Sequence, residues 1–214
     1  QDITYPTDIK VLNSCIVKSE LLIDKLYNKT LNKNKPRTNR KKLRKAFLAI
    51  AQNKNPSKKK ISKAIKEHLT ALRNNIKSIN SLLDKNSQGL TLLTRKEYKY
   101  LLVIQTVYEQ QKGMYDGKTH KCPDRIVSIH QPHVRPIVRG KLSSKVEFGS
   151  KIQVTLMNGF AFLDEFSWDA FNEGKYLISS VEKYKERFGY YPETVLADKI
   201  YCNRANRNDL KELK

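Results

Sequence analysis

Residues 146–168 read VEFGSKIQVTLMNGFAFLDEFSW, and this stretch decides the fold class. Two β-rich runs, VEFGSKIQVTL and FAFLDEFSW, are joined by Met157-Asn158-Gly159. Asn-Gly is the strongest short hairpin signal, because both residues accept the positive φ that a tight hairpin turn demands. On the upstream side, the apolar pattern changes from period 3.6 to period 2 near Lys121, and DRIVSIH (124–130) reads as a strand. The next stretch, QPHVRPIVRGK (131–141), reads as a loop, because Pro132 and Pro136 remove ladder donors; it projects Arg135, Arg139 and Lys141. On the downstream side, NEGKYLISSVEKYKERFG (172–189) is an amphipathic helix through Leu177, Ile178, Val181 and Phe188, closed by Gly189. Pro192 leads into TVLAD (194–198), a short strand, and a last helix runs from Asn206. Strand, loop, hairpin, helix, strand, helix is an α/β order.

Before residue 120 the periodicity is helical throughout. A first helix from about Asp8 to Lys29 turns Ile9, Leu12, Ile16, Leu22, Ile23 and Leu26 inward, with Thr7 or Asp8 as its cap. Pro36 opens a short helix carrying Leu43, Phe47 and Ile50. Pro56 opens a third, with Ile61, Ile65, Leu69, Leu72, Ile76, Ile79 and Leu83 at steps of three and four, and Gly89 ends it. Thr94-Arg95-Lys96-Glu97 is a capping box, followed by Tyr98, Leu101, Leu102, Ile104 and Tyr108 on one face as far as Gly113.

Charge narrows the function classes. Lys and Arg number 42 against 21 Asp and Glu, a formal charge of +21, and a field of that sign favours polyanions. Asn, Ile and Lys are abundant throughout, as AT-rich coding would produce. No apolar run approaches the roughly 18 residues of a spanning helix, so no membrane partner is expected. Cys15, Cys122 and Cys202 are odd in number and far apart, which points to a reducing cytoplasm rather than a disulfide framework. The chain starts at Gln1 and stops inside the helical pattern DLKELK, so it reads as a piece of something longer.

Sixteen cations and no acid lie between Asp24 and Glu67. A solvated helix face normally mixes signs, so Arg40, Lys41, Lys42, Arg44, Lys45, Lys58, Lys59 and Lys60 are candidate nucleic-acid contacts. Arg135, Arg139 and Lys141 are candidates too, since arginine suits bidentate phosphate contacts and Gly140 lets a backbone come close. Asp198 stands at the carboxyl end of the TVLAD strand, where ligands collect in α/β sheets. Two readings stay open for it: a divalent-metal ligand, or a strand-end Asp capping a turn. His120, Cys122, His130 and His133 have zinc-ligand chemistry but loose spacing, and read as ordinary polar residues. Trp168, Phe160, Phe162 and Phe166 read as core rather than as base-stacking groups, and Tyr190 and Tyr191 as packed beneath the helix end.

Taken together, DRIVSIHQPHVRPIVRGK, VEFGSKIQV, GFAFLDEFSWDAFNEGKYL and YYPETVLADKIYCNR resemble bacterial insertion-sequence transposases of the DDE type. DITYPTDIKVLN and the helices after it resemble a subgroup with a helical segment inserted early in the core. The resemblance implies a partial ribonuclease H-like core, a mixed sheet with flanking helices, carrying a large basic all-helical insertion. It divides the chain into a lead-in (1–7), the helical insertion (8–119) and the partial core (120–214). It implies metal-dependent cleavage and transfer of double-stranded DNA at transposon ends by two Mg²⁺ (or Mn²⁺) ions, in the bacterial cytoplasm, with a possible homodimer on DNA. Asp198 is similar to the second of the family's three acids, and Lys151 in Phe148-Gly149-Ser150-Lys151 to a lysine near the active site. Asn172 falls near a further Asn-containing stretch. The first Asp and the Glu are expected outside this chain, since Asp2, Asp8 and Asp124 do not match, so the chain alone is expected to be inactive. The alternative from another class is a non-catalytic nucleic-acid-binding protein or an inactive transposase remnant.

Overall fold

Two side-chain caps mark where the long helices begin. Ser57 Oγ accepts from the Lys60 amide, and Thr94 Oγ1 accepts from the Glu97 amide while Glu97 reaches back to the Thr94 amide, completing the predicted capping box. The structure, a computed structural model, describes residues 6–86, 88–138 and 146–213. Among these are six α-helices and two two-stranded antiparallel sheets, a mixed α/β chain. The chain forms two compact units, residues 1–133 and 134–214.

The first unit holds α1 (Asp8–Leu26), α2 (Arg40–Ala51), α3 (Lys58–Asp84) and α4 (Arg95–Asp116). Helix α1 packs against each of the other three. All six of its predicted inward residues are buried, together with Val11 and Cys15. Burial pushes the Cys15 thiol up to about 12, so it is a core residue and not a nucleophile. Two of the polar side chains inside are paired: Asn75 Nδ2 donates to Ser19 Oγ at 2.9 Å, and Ser19 Oγ donates to the Ile16 carbonyl at 2.8 Å. Helix α3 buries Ile65, Leu69, Leu72 and Ile79, and Ile61, Ile76 and Leu83 pack partly against the core. Helix α2 fully buries only Leu43, with Phe47 and Ile50 half-covered.

Several sequence expectations change in this unit: Thr7 makes no side-chain cap, Pro36 does not open a helix because α2 begins at Arg40, and α3 ends at Asp84, before Gly89. Helix α4 runs past Gly113, and its inner face is rotated: Tyr100, Val103, Ile104, Val107 and Met114 are buried, whereas Tyr98 and Leu102 are exposed. Steps of three, one, three and seven fit one helical stripe better than the set led by Tyr98. DRIVSIH is not a strand. Ile126, Val127 and Ile129 are buried, with Ile126 and Ile129 in the helical core, and the Ile126 amide donates to Gln110 Oε1 at 3.0 Å. A side chain thus replaces the ladder partner the alternation suggested, and the segment packs with the helices up to residue 133.

The second unit contains β1 (Arg135–Val138), β2 (Val146–Gly149), β3 (Lys151–Met157), β4 (Phe160–Ser167), α5 (Leu177–Phe188) and α6 (Arg204–Glu212). The hairpin forms as read, with Asn158 at φ 49° and Gly159 at φ 84° between paired Met157 and Phe160. Part of the expected loop is a strand, since β1 pairs with β2 and Pro136 lies opposite Phe148. A two-stranded ladder is all edge, and alternate residues need no ladder donor, so proline is tolerated there. TVLAD is not a strand: Pro192–Asp198 carries no regular structure and Leu196 is 93% exposed. Nor are Phe160 and Phe166 core, at 68% and 47% exposure, and Tyr190 is exposed as well. Instead, polar groups occupy the covered face. A β-bulge breaks the register after Gln153, and Asp164 falls in the extra position. Its buried carboxylate accepts from Thr155 Oγ1 and, at 2.8 Å, from Arg187 Nη2 on α5. Lys183 Nζ donates to the Asp164 carbonyl, a second tie between hairpin and helix.

Candidate nucleic-acid interface and the Asp198 groove

On α2, Lys41, Lys42, Arg44 and Lys45 are exposed, as are Lys58, Lys59 and Lys60 at the start of α3. Among the described residues none of these seven is in an ion pair. Arg40 differs. It reaches Asp24 at 2.5 Å and Glu20 at 3.5 Å, and donates to the Glu20 carbonyl, tying α2 to α1. Lys35 joins the same cluster, 2.7 Å from Asp24. Burial pushes the Asp24 carboxyl up, but hydrogen bonds from Lys35 and Arg40 outweigh it and hold the group below its ordinary value. For Glu20, burial dominates and the carboxyl is raised despite Arg40.

Lys42 shares a groove of about 240 Å³ with Asn39, Thr70, Asn74 and, from α3, Lys66. On the other flank of α3, Lys66, Thr70 and Arg73 line a second groove of about 210 Å³ with Tyr108 and Lys112. Lys41, Arg44 and Lys45 surround a shallower depression with Leu48 and Gln52. Lys66 ends the acid-free basic run that the sequence singles out, whereas Arg73 was not among the sequence candidates, although its spacing on a helix that buries its other face was a usable signal.

In the second unit, Asp198 lines an open groove of about 550 Å³ whose walls include Gln153, Thr155, Met157, Ser180, Tyr184, Thr194 and Tyr201. The carboxylate is exposed, and among the described residues it has no ion pair. Its Oδ1 accepts from the Lys199 amide and so caps a 3-10 turn, Lys199–Tyr201. Asparagines and a glycine that the sequence did not single out hold that turn. Asn206 Nδ2 donates to the Gly174 and Tyr201 carbonyls at 2.7 and 2.9 Å, and Asn203 Nδ2 donates to Gly174 at 3.2 Å. Gly174 is obligatory for a close approach, since a Cβ there would lie 2.8 Å from the Ile200 carbonyl oxygen. Tyr201 Oη donates to Gln153 Oε1 at 2.9 Å, fastening the turn to β3.

The remaining candidates are not gathered around Asp198. The Lys151 ammonium is 3.0 Å from Glu173, donates to the Phe171 carbonyl and sits over the Phe171 ring, leaving the side chain 17% exposed. Asn172 caps the neighbouring 3-10 turn by accepting from the Gly174 amide at 3.0 Å. Arg135 is half-buried in β1, with Nη1 donating to the Val134 carbonyl at 3.3 Å. Arg139 and Lys141 lie outside the described residues. His120 Nδ1 is 3.3 Å from Asp8, whereas His130 Nδ1 is 2.7 Å from the Tyr100 hydroxyl, so these two imidazoles serve different partners. Burial, then Lys18, Lys96 and Lys99, push His130 below its ordinary value.

Divalent-metal binding demands several oxygen ligands. Among the described residues no three His, Cys, Asp or Glu side chains are placed to hold a metal ion. Asp198 alone therefore does not make the two-ion site that the family resemblance implies. No helix among the described residues is long and apolar enough to cross a membrane. Comparison with known proteins found no matching family model, no matching curated protein and no matching solved structure.

Proposed function

We propose that this chain belongs to a DNA transposase of the DDE type, with the helical unit holding duplex DNA and Asp198 serving strand cleavage from a ribonuclease H-like core. The reading rests on the motif resemblance, and one observation in the structure carries it. Asp198 is an exposed carboxylate on the rim of an open groove, with no cation bound to it among the described residues. Had a lysine or arginine neutralised it, the acid would have been a structural ion pair. In the active protein Asp198 would supply one carboxylate to Mg²⁺ or Mn²⁺, and such ions supply Lewis-acid stabilisation of the reacting phosphate. The described residues lack the companion ligands, so no step through the ion is derived. A homodimer on DNA and a cytoplasmic, nucleoid-associated location belong to the same reading.

The alternative, a nucleic-acid-binding protein without catalysis, is favoured by the hydrogen bond from the Lys199 amide, which gives Asp198 a capping role. Asparagine caps turns as well as aspartate but carries no charge. In the whole transposase, Asp198→Asn is expected to abolish cleavage of labelled duplex DNA while binding and thermal stability stay at the unsubstituted level. Retained cleavage by Asp198→Asn would leave only the capping role.

A further inference from the structure

Lys59, Lys63, Lys66, Thr70, Arg73 and Lys77 are all exposed on α3. Steps of four, three, four, three and four residues keep them on one side of the helix, a stripe of about 27 Å at 1.5 Å per residue. Among the described residues none of the five cations is ion-paired. The opposite side of α3 is fixed in the core through Ile65, Leu69, Leu72 and Ile79. The stripe is thus a ridge held from behind by the core and flanked by two grooves, one lined by Lys42 and Glu67, the other by Lys112, which is ion-paired with Asp116.

We infer that this ridge docks along the sugar–phosphate backbone of duplex DNA, an inference that rests on the reading of the helical unit as the DNA-holding part. Four of the five cations are lysines, which act as point charges on phosphate rather than as bidentate readers of base edges. No aromatic residue interrupts the stripe, whereas single-strand sites interleave aromatics on which bases stack. The apolar side of α3 is already buried, so the helix has nothing to insert into a lipid surface. Binding through the ridge is therefore electrostatic and nearly independent of sequence.

The test uses the full chain and fluorescence anisotropy with two duplexes of unrelated sequence across a salt series. The ridge variant carries Lys63→Gln, Lys66→Gln and Arg73→Gln. A control of equal charge carries Lys118→Gln, Lys121→Gln and Lys211→Gln, all exposed and off the ridge; helicity by circular dichroism verifies that both fold. Losing three phosphate contacts makes the log–log salt slope shallower by about 2.7 and weakens binding on the order of a hundredfold near 0.1 M salt. The same factor is expected on both duplexes, with a much smaller loss in the control. If the ridge variant loses no more than the control while the unsubstituted chain binds duplex, the ridge is wrong and the DNA reading stands. If the unsubstituted chain does not bind duplex, that reading falls and takes the ridge with it. Equal or tighter binding to single strands or to anionic vesicles at the same salt overturns the duplex assignment.

Discussion

Replacing Asp164 tests whether the second unit is held together by a buried charge. The Asp164 side chain is 2% exposed and accepts from Arg187 at 2.8 Å and from Thr155, across the hairpin–helix junction. Breaking a fully buried ion pair by removing one partner costs about 3–5 kcal/mol. The Arg187 side chain is 27% exposed and can rehydrate in part, so Asp164→Ala is expected to cost about 2–3 kcal/mol. Asp164→Asn keeps an acceptor for Thr155 and loses only the charge, so about half of that loss is expected. The chain's single tryptophan makes the measurement specific, because Trp168 directly follows β4, with its ring centroid 5.3 Å from that of Phe166. Urea unfolding followed by Trp168 fluorescence reads the second unit while the helical unit stays silent. With a slope of about 1 kcal/mol per molar for so small a unit, the Asp164→Ala midpoint is expected to fall by about 2 M. The pH dependence supplies a second readout. Burial raises the Asp164 carboxyl, but hydrogen bonds from Thr155 and Arg187 and the Arg187 charge leave it lowered from 3.8. Because the folded value is depressed, the contribution is present above pH 3.8 and disappears as pH falls through the folded value. The unsubstituted protein should lose its Trp168 transition below that point faster than Asp164→Asn does. Equal midpoints for all three proteins at neutral pH would refute the reasoning.

Gly174→Ala sets a Cβ 2.8 Å from the Ile200 carbonyl, so the turn that begins at Asp198 must shift. On the proposed transposase reading, the complete protein carrying this substitution is expected to lose cleavage and keep DNA binding, and cleavage at the unsubstituted rate would show that the turn's placement does not matter. Burial lowers the His68 imidazole, against the Ala64 carbonyl and Glu67, and burial likewise lowers His130. Groups with depressed histidine values bind more protons unfolded, so stability of the helical unit should decline as pH falls below about 6.5. Urea midpoints by circular dichroism at pH 7.5 and 5.5 measure it, and His68→Met should flatten the difference; an unchanged slope in that variant would assign the effect elsewhere.

The helical unit was legible because its signals are local. Thr94 and Glu97 announce a helix start through bonds within four residues, Pro56 stands just before the start of α3, and the inward residues of α1 all reach the core. The Asn158-Gly159 turn was legible for the same reason. What misled was alternation without a partner. DRIVSIH and TVLAD carry β-rich patterns, yet a strand needs a neighbour, and neither has one among the described residues. In the first case the helices supplied a different cover for Ile126 and Ile129. Likewise, β3 alternates as a strand should, but its covered side carries Lys151, Gln153 and Thr155 and leaves Ile152 and Leu156 exposed, while the bulge at Asp164 shifts the alternation of β4. Around Asp198 the sequence identified the acid but not its supports, because Gly174, Asn203 and Asn206 act through contacts across about thirty residues.

The starts of α3 and α4 treat the helix dipole differently. Peptide dipoles make a helix N-terminus positive, so each cation in the first turn costs about 0.3–1 kcal/mol and each acid there contributes a similar gain. Helix α4 follows that rule: its opening Arg95 and Lys96 are followed by Glu97, which closes the capping box and meets Lys25 at 2.6 Å. The Lys25 ammonium, then the Thr94 backbone and hydroxyl, hold that carboxyl down to about 2. Helix α3 breaks the rule. It opens on Lys58-Lys59-Lys60 with no acid in its first turn, and only the Ser57 hydroxyl offsets the repulsion. Helix α2 opens on Arg40-Lys41-Lys42, again without an acid, and without a side-chain cap. Both exceptions fall in the acid-free interval, although α6, beyond it, also opens on a cation, Arg204, with no acid in its first turn. On the proposed DNA-holding reading, phosphate oxygens near Lys58, Lys59 and Lys60 would offset this repulsion at the start of α3.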